Sequence, residues 1–186
     1  MKAILGKLIY KLKLKVRGWT DIDALKKKGF VCGDGLHVGR GTVIDPDYCW
    51  LIRLGDNVGL GPNVHLLAHD SRTRDDFGVV RVAPVVIGDN VALSTRVIVM
   101  PGVTIGDNVA VGVGSVVYSD IPSNSVVVGN PARRLGRLTG YMDDLATQMD
   151  MFPKFDESWT LRGNITGEMK AEMIQILREN AKGFVR

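Results

Sequence analysis

Cysteine, aromatic residues and long apolar runs are all scarce in this sequence of 186 residues. Two cysteines, Cys32 and Cys49, are too few for a disulfide framework, which favours reduced thiols and a cytoplasmic location. Apolar stretches such as residues 97–100 end quickly at Pro101 and Gly102, so no segment has the length of a membrane-spanning helix. Because no small-residue cleavage site follows the first residues, we do not expect a signal peptide.

Basic residues are concentrated at one end of the chain. Residues 1–30 contain nine Lys or Arg and two Asp, whereas the remainder contains 15 basic and 18 acidic residues. Without a basic body, nucleic acid is not an expected partner. Segment 3–16 places Ile, Leu and Val at helical spacing among its lysines, which predicts an amphipathic helix. This helix either covers an open end of the fold or makes peripheral contact with an anionic membrane surface.

Aliphatic residues recur every six positions in the middle of the chain. Each sixth residue from position 87 is Val, Ile or Leu: Ile87, Leu93, Val99, Ile105, Val111 and Val117. Glycine, Asp and Asn follow many of these positions and favour tight turns. A period of six fits neither a helix face nor simple strand alternation, but it fits a short strand followed by a turn. Three such units close one coil, so the sequence predicts an all-β solenoid, a parallel β-helix with an aliphatic core.

Two interruptions of the repeat divide the chain further. Ile44 lies ten residues before Leu54, and 21 positions separate Leu66 from Ile87. The second gap is polar and charged, which predicts a protruding loop over residues 70–84, a place where function often lies. Helical spacing of apolar residues predicts a helix over 167–181. We therefore expect a basic helical arm at 1–30, the β-helix at 31–138 and a C-terminal helical extension at 139–186.

Over about residues 30–138 the sequence resembles the hexapeptide-repeat acyltransferases. The resemblance rests on the ladder at 87–122, on the stretch 66–70 that ends in His69 and Asp70, and on the run Gly129-Asn130-Pro131-Ala132-Arg133. Within the family it is similar to O-acetyltransferases of bacterial surface-polysaccharide gene clusters, which share the His-Asp loop and the tail at 155–164. The resemblance implies a left-handed coil and a homotrimer with active sites between subunits. It also implies acetyl transfer from acetyl-CoA to a hydroxyl of a sugar, nucleotide sugar or oligosaccharide.

His69 is the candidate general base for this chemistry. The acceptor hydroxyl must lose its proton as it attacks the thioester, and a neutral imidazole suits that task at pH 7. His69 stands where the ladder is interrupted, next to Asp70, the second candidate catalytic residue, with Asp75 and Asp76 nearby. A carboxylate or a main-chain carbonyl that accepts from one ring nitrogen would fix the tautomer of His69. Maltose- and galactoside-type members have their histidine at the position that corresponds here to Ser71.

The resemblance also assigns the two substrates. Acetyl-CoA lies along the ladder between two subunits in relatives, and the matching residues here are Thr95, Val113, Gly114, Ser119, Arg133 and Arg134. Members often have Lys where Ser119 stands. Sugars are held by carboxylates and stacked aromatics, so the candidate acceptor contacts are Asp45, Asp47, Tyr48 and Trp50, together with His65. No metal is expected.

Two alternatives use the same ladder differently. The γ-type carbonic anhydrases place three histidines on zinc, and this chain has three, His37, His65 and His69. His65 and His69 lie four residues apart across a hexad boundary, which turns them to different sides of a coil. The other alternative is a non-catalytic trimeric scaffold.

Overall fold

The computed structural model describes residues 20–185, so the amphipathic segment 3–16 lies outside the described residues. A short helix, α1 (Ile22–Lys27), precedes the strands, and a one-turn helix, α2 (Arg74–Phe77), interrupts them. The strands up to residue 136 are β1 (Val31–Cys32), β2 (His37–Val38), β3 (Val43–Ile44), β4 (Ile52–Leu54), β5 (Gly59–Leu60), β6 (His65–Leu66), β7 (His69–Asp70), β8 (Arg81–Val82), β9 (Val85–Ile87), β10 (Val91–Leu93), β11 (Ile98–Val99), β12 (Thr104–Ile105), β13 (Val109–Val111), β14 (Val116–Val117), β15 (Ser125–Val128) and β16 (Arg133–Gly136).

Most of these strands form three parallel sheets that the chain visits in turn. The first sheet has the order β1-β4-β9-β12, the second β2-β5-β10-β13-β15, and the third β3-β6-β11-β14. β16 adds to the second sheet in the antiparallel direction beside β15. One strand from each sheet makes one coil, and equivalent strands of successive coils pair in parallel, as β4 does with β9 and β11 with β14. This winding is the parallel coil that the six-residue repeat predicts.

The repeated aliphatic residues fill the interior of these coils. Leu93 aligns with Val111 in the second sheet, and Val99 aligns with Val117 in the third. All the predicted ladder residues are at most 2% exposed: Ile87, Leu93, Val99, Ile105, Val111 and Val117. Burying each such side chain contributes about 1.5–3 kcal/mol, so the ladder is the main stabilising feature of the coils. The predicted ladder is confirmed.

The turns between the first and second sheets show why Gly, Asp and Asn recur there. Asn90 adopts a φ of 54°, a left-handed conformation that Asn tolerates. The main-chain N–H of Asp89 donates to Oδ1 of Asp107 in the following coil at 2.8 Å, and the N–H of Asp56 donates to Oδ1 of Asp89 at 2.7 Å. A Cβ on Gly88 would lie 2.1 Å from Oδ1 of Asp107, so only glycine leaves room for this bond.

Both interruptions of the repeat occur where the chain passes from the third sheet to the first. The later one is a hairpin in which His69 and Asp70 of β7 pair antiparallel with Val82 and Arg81 of β8, with α2 between them. The earlier one is the segment 45–51, which ends in a 3-10 helix at Cys49–Leu51. Since the two follow equivalent strands, β3 and β6, they lie on adjacent coils.

Helix α1 covers the core at the first coil. Its N-terminus is capped by Asp21, whose Oδ1 accepts the main-chain N–H of Ala24 at 3.0 Å. Leu25 is 7% exposed and Phe30 is 3% exposed, and both belong to the same core cluster as Ile44. This short helix lies within the predicted helical arm at 1–30, after the amphipathic segment 3–16.

The described residues after Leu138 form a second compact unit. Its elements are α3 (Leu138–Met151), which begins at the boundary, β17 (Lys154–Phe155), a 3-10 helix (Glu157–Trp159), α4 (Gly167–Asn180) and β18 (Phe184–Val185). β17 and β18 pair in parallel, and the buried Phe155 ring contacts Trp159. The helix predicted near 167–181 is confirmed by α4. Within residues 20–185, no helix has the length and apolar character needed to cross a membrane.

Candidate active site

His69 begins the hairpin and is hydrogen-bonded to Asp45 on the neighbouring coil. The Nδ1 atom of His69 lies 2.5 Å from Oδ2 of Asp45, although the residues are 24 positions apart. They meet because the main-chain N–H of Asp45 donates to the carbonyl of Leu66 at 2.9 Å, which aligns the two coils. The His69 side chain is 25% exposed, and its Nε2 atom has no hydrogen-bond partner among residues 20–185.

Asp45 is held as a buried, ionised acceptor. It is 1% exposed, and its Oδ2 also accepts the main-chain N–H of Ala68 at 2.9 Å. Its Oδ1 accepts the main-chain N–H groups of Asp47 and Tyr48, each at 3.1 Å. Burial alone would raise the pKa of Asp45, but the hydrogen bonds from His69 and from these main-chain groups outweigh it and lower that pKa. An ionised acceptor keeps the proton on Nδ1 and leaves the lone pair on Nε2.

This geometry corrects two sequence-based assignments. Asp70 is the carboxylate that the sequence places with His69 in catalysis, but its Oδ1 accepts the main-chain N–H of Arg72 at 2.9 Å, and the carboxylate bound to His69 is Asp45. Asp45 was the expected acceptor contact, but a carboxylate that is buried and already accepts four hydrogen bonds has no atom free for a sugar. The nearer carboxylate in the sequence was preferred because the pairing of the two coils is not visible there.

Aromatic side chains continue from His69 toward solvent. The Tyr48 ring centroid lies 5.1 Å from that of His69 with the planes at 48°, and Trp50 lies 5.4 Å from Tyr48. Trp50 is 50% exposed, and Asp47 is also exposed. A nitrogen or oxygen atom from each of Asp45, Asp47 and His69 lies within 4.8 Å of the others. Asp47 therefore lies near the candidate base and Trp50 lies next to Tyr48, and both have surface available to a ligand.

The remaining histidines do not join this group. His65 lies on β6, aligned with Ile98 in the third sheet, and is half-buried. His37 is exposed on β2 in the second sheet. In the described part of the chain the three imidazoles do not form a candidate metal group. The group that the spacing does allow, Asp45 with Asp47 and His69, has a poor claim to a metal because hydrogen bonds already occupy both oxygens of Asp45.

The residues matched to the cofactor groove occupy two different edges of the coils. Thr95 and the pair Val113-Gly114 lie between the second and third sheets, where the main-chain N–H of Gly114 donates to the carbonyl of Thr95 at 2.9 Å. Val113 is 67% exposed. Ser119 lies on the edge between the third and first sheets, the same edge as His69, and is exposed.

The two arginines of the closing run differ in their contacts. Arg134 donates from Nε to Oγ of the buried Ser125 at 3.0 Å, so it ties β16 to β15. Arg133 donates from Nη1 to the carbonyl of Ala132 at 3.2 Å and is exposed. The guanidinium of Arg133 is therefore the better placed of the two to meet an anionic ligand.

Comparison with known proteins identifies the family. Residues 84–119 match the model described as bacterial transferase hexapeptide (six repeats). Galactoside O-acetyltransferase of Escherichia coli is 39% identical over 117 residues, which cover 56% of this chain and 55% of that protein. A galactoside acetyltransferase structure in complex with coenzyme A is 31% identical, has a TM-score of 0.52, and matches 64% of this chain and 70% of its own. The chain belongs to the hexapeptide-repeat transferase family.

A second solved member of the family supports the same fold. The hexapeptide-repeat-containing acetyltransferase of Vibrio cholerae, complexed with acetyl coenzyme A, has a TM-score of 0.54 and 28% identity. The match covers 69% of this chain and 84% of that structure. The chain spans about half of the length of the curated relatives that it matches, 55% for the Escherichia coli protein and 44% for a Schizosaccharomyces pombe putative acetyltransferase.

One signal for the Asp45–His69 pair is present in the sequence. Ile44 and Leu66 both end third-sheet strands and align with each other, so the residues that follow them are expected on the same edge of adjacent coils. Asp45 follows Ile44 directly, and His69 is the third residue after Leu66. The ten-residue gap after Ile44 hides this alignment when the sequence is counted in sixes.

Proposed function

We propose that this protein is an O-acetyltransferase that moves the acetyl group of acetyl-CoA to a hydroxyl of a sugar or surface-polysaccharide precursor. His69 is the general base of the proposed reaction, and Asp45 orients it. The observation that carries the proposal is the hydrogen bond between the buried Asp45 carboxylate and Nδ1 of a partly exposed histidine, at the interruption of the coils. In a member of this family that arrangement suits deprotonation of a hydroxyl.

The proposed mechanism is direct transfer. Nε2 of neutral His69 accepts the proton of the acceptor hydroxyl while the hydroxyl oxygen attacks the thioester carbonyl. The bond from carbonyl carbon to sulfur then breaks, and the imidazolium returns the proton to the departing thiolate, giving the acetyl ester and free CoA. Asp45 stays ionised and stabilises the imidazolium that forms between the two proton transfers. A positioned base of this kind accelerates a reaction by roughly a hundred- to ten-thousand-fold.

The positions of the proposed cofactor-binding residues support an active site formed between two chains. Within one chain the whole third sheet separates the edge with Thr95 and Gly114 from the edge with His69. A homotrimer of left-handed coils, as the family resemblance implies, brings one edge of a protomer against another edge of its neighbour. In that arrangement Thr95, Val113 and Gly114 contact the pantetheine arm, Ser119 lies near it, and Arg133 meets the phosphates. Arg134 contributes by fixing the closing strand.

The acceptor is bound in the proposal by the exposed residues next to His69. Trp50 offers an apolar face to the C–H surface of a pyranose ring, and Asp47 accepts hydrogen bonds from neighbouring hydroxyls. His65, which is half-buried on β6 just before the hairpin, is the remaining acceptor contact of the proposal. Nucleotide sugars and oligosaccharides have the same pyranose C–H surface and hydroxyls as simple sugars, so the same contacts suit them. The relative named galactoside O-acetyltransferase supports a sugar acceptor as the first choice.

A free-thiol assay with acetyl-CoA and a panel of sugars, nucleotide sugars and oligosaccharides tests this function. Wild-type protein is expected to release CoA in the presence of a suitable acceptor, and His69→Ala is expected to lose roughly a hundred- to ten-thousand-fold in rate. His37→Ala is the matched control, because His37 is exposed on the second sheet away from Asp45. A His69→Ala protein with the wild-type rate would remove the proposed base. Wild-type protein that neither binds acetyl-CoA nor releases CoA would favour a scaffold instead.

A further inference from the structure

Tyr48 places an aromatic ring against the candidate base without being required by the proposed proton transfers. Its centroid is 5.1 Å from the His69 centroid, and the ring planes are tilted by 48°. The same residue donates its main-chain N–H to Oδ1 of Asp45 at 3.1 Å, so its backbone is anchored to the carboxylate that orients His69. The Trp50 ring also contacts Tyr48, with the centroids 5.4 Å apart. The Tyr48 ring is therefore positioned by its backbone bond to Asp45 and by ring contacts with His69 and Trp50.

An aromatic ring in this position interacts differently with the two protonation states of His69. A neutral imidazole gains little electrostatically from the ring, whereas an imidazolium within about 6 Å of the centroid is attracted by the negative ring face. His69 is neutral before the reaction and becomes imidazolium only as it takes the proton of the acceptor. A contact that strengthens as the imidazolium forms lowers the activation free energy and does not merely tighten substrate binding.

Within residues 20–185, the charged groups around His69 contact only one of its two ring nitrogens. Asp45 and Asp47 face the imidazole from segment 45–51, and Asp70 and Arg81 flank it on the hairpin. Asp45 contacts Nδ1 directly, but in the described residues nothing hydrogen-bonds to Nε2. Positive charge that develops on the imidazole thus meets the Asp45 carboxylate at Nδ1 and a tilted Tyr48 ring 5.1 Å away.

We propose that Tyr48 is a positioning residue whose ring holds His69 and stabilises the imidazolium formed during acetyl transfer. The inference rests on the proposed function, because it needs His69 to become charged in the reaction. The ring is the active part in this proposal, and the phenol hydroxyl is dispensable. Tyr48→Phe removes only the hydroxyl, whereas Tyr48→Leu removes the ring as well, so the two variants distinguish the contributions of the two groups.

The experiment is a pH–rate profile of CoA release at several acceptor concentrations for four proteins: wild type, Tyr48→Phe, Tyr48→Leu and His69→Ala. Tyr48→Leu is expected to lower kcat by about two- to thirty-fold, the range of a cation–π contact. Its acid limb should move to lower pH, because the imidazolium loses stabilisation, while KM for the acceptor stays close to wild type. Tyr48→Phe should retain both kcat and the position of the acid limb.

Several outcomes overturn the inference. Tyr48→Leu with unchanged kcat and an unmoved acid limb would leave the ring without a part in the reaction. A rise in acceptor KM at constant kcat would make Tyr48 an acceptor contact instead, and an equal loss in Tyr48→Phe would assign the role to the hydroxyl. Tyr141→Leu, a change at an exposed tyrosine on α3, controls for the substitution itself, and thermal unfolding checks that each variant is folded. A fully active His69→Ala would refute the proposed function, which is a separate failure.

Discussion

Replacing Asp45 by Asn changes one oxygen of the buried carboxylate into an NH2 group and leaves its shape almost unchanged. In the wild type all four partners of this carboxylate are donors: Nδ1–H of His69 and the main-chain N–H groups of Ala68, Asp47 and Tyr48. An Asn has one acceptor oxygen, so it satisfies one pair of donors and opposes the other. The orientation of the amide decides which pair is lost.

The less costly orientation keeps the amide oxygen on Asp47 and Tyr48 and turns the NH2 group toward Ala68 and His69. His69 can then accept from that group through Nδ1, which moves its own proton to Nε2, while the N–H of Ala68 loses its acceptor. One unsatisfied buried donor costs about 1–3 kcal/mol of folding free energy. The opposite orientation leaves two donors unsatisfied and costs about twice as much. Asp45→Asn is therefore expected to fold with the inactive His69 tautomer.

We expect Asp45→Asn to lower kcat by roughly a hundred- to ten-thousand-fold, since Nε2 no longer has a free lone pair. Steady-state CoA release measures the rate, urea unfolding measures the lost stability, and nitrogen NMR of the imidazole identifies the tautomer. Asp70→Asn is the matched control, because an amide oxygen can still accept the N–H of Arg72. A folded Asp45→Asn protein with wild-type kcat, or an Asp70→Asn protein that is the more impaired of the two, would refute this reasoning.

Three further predictions follow from particular contacts. Gly88→Ala should destabilise the coils by at least about 2 kcal/mol in urea unfolding, since its Cβ would lie 2.1 Å from Oδ1 of Asp107 and 3.0 Å from its main-chain nitrogen; an unchanged midpoint would contradict this. Because the folded-state pKa of Asp45 is lowered, its ionisation stabilises the fold above about pH 4 and that contribution disappears as the pH falls further. The stability gap between wild type and Asp45→Asn should therefore narrow in acid, and a constant gap would be inconsistent with the lowered pKa. Arg133→Ala should raise KM for acetyl-CoA several-fold at nearly constant kcat, and a loss confined to kcat would exclude a phosphate contact.

The parts of the fold that depend on local repetition were predictable from the sequence. A single aliphatic residue at each sixth position, as at Leu93 and Val111, is enough to define the strands that stack, because each strand pairs with its own counterpart one coil away. The turns were also predictable from composition, since the left-handed backbone at position 90 favours a residue such as Asn. The hydrogen bond from the main-chain N–H of Asp89 to the side chain of Asp107 was not predictable, because its donor and acceptor lie 18 residues apart in the sequence.

The site was predicted only in part for the same reason. The interruption of the repeat points to His69, and in the structure a buried carboxylate is hydrogen-bonded to that residue. The identity of the carboxylate depends on how two irregular segments stack, and neither follows the six-residue spacing. Asp45 therefore looked like a surface residue available to a sugar, and Asp70 looked like the partner of the base because it is adjacent in the sequence.

Asp45 has two duties that the structure allows to be separated. Three of its four hydrogen bonds go to main-chain N–H groups at a corner where the hairpin at 69–82 and the segment 45–51 replace regular turns, so the carboxylate supplies acceptors that those main-chain groups need. The fourth hydrogen bond is with His69, and only this bond orients the proposed general base. Removing the imidazole leaves the three main-chain bonds intact, so His69→Ala should lose its rate and still fold, at the cost of the one hydrogen bond that the imidazole made to the buried carboxylate. Removing the carboxylate affects both properties. A site built in this way explains why the base can lie on an irregular hairpin and still have a fixed orientation, since its partner is buried in the neighbouring coil.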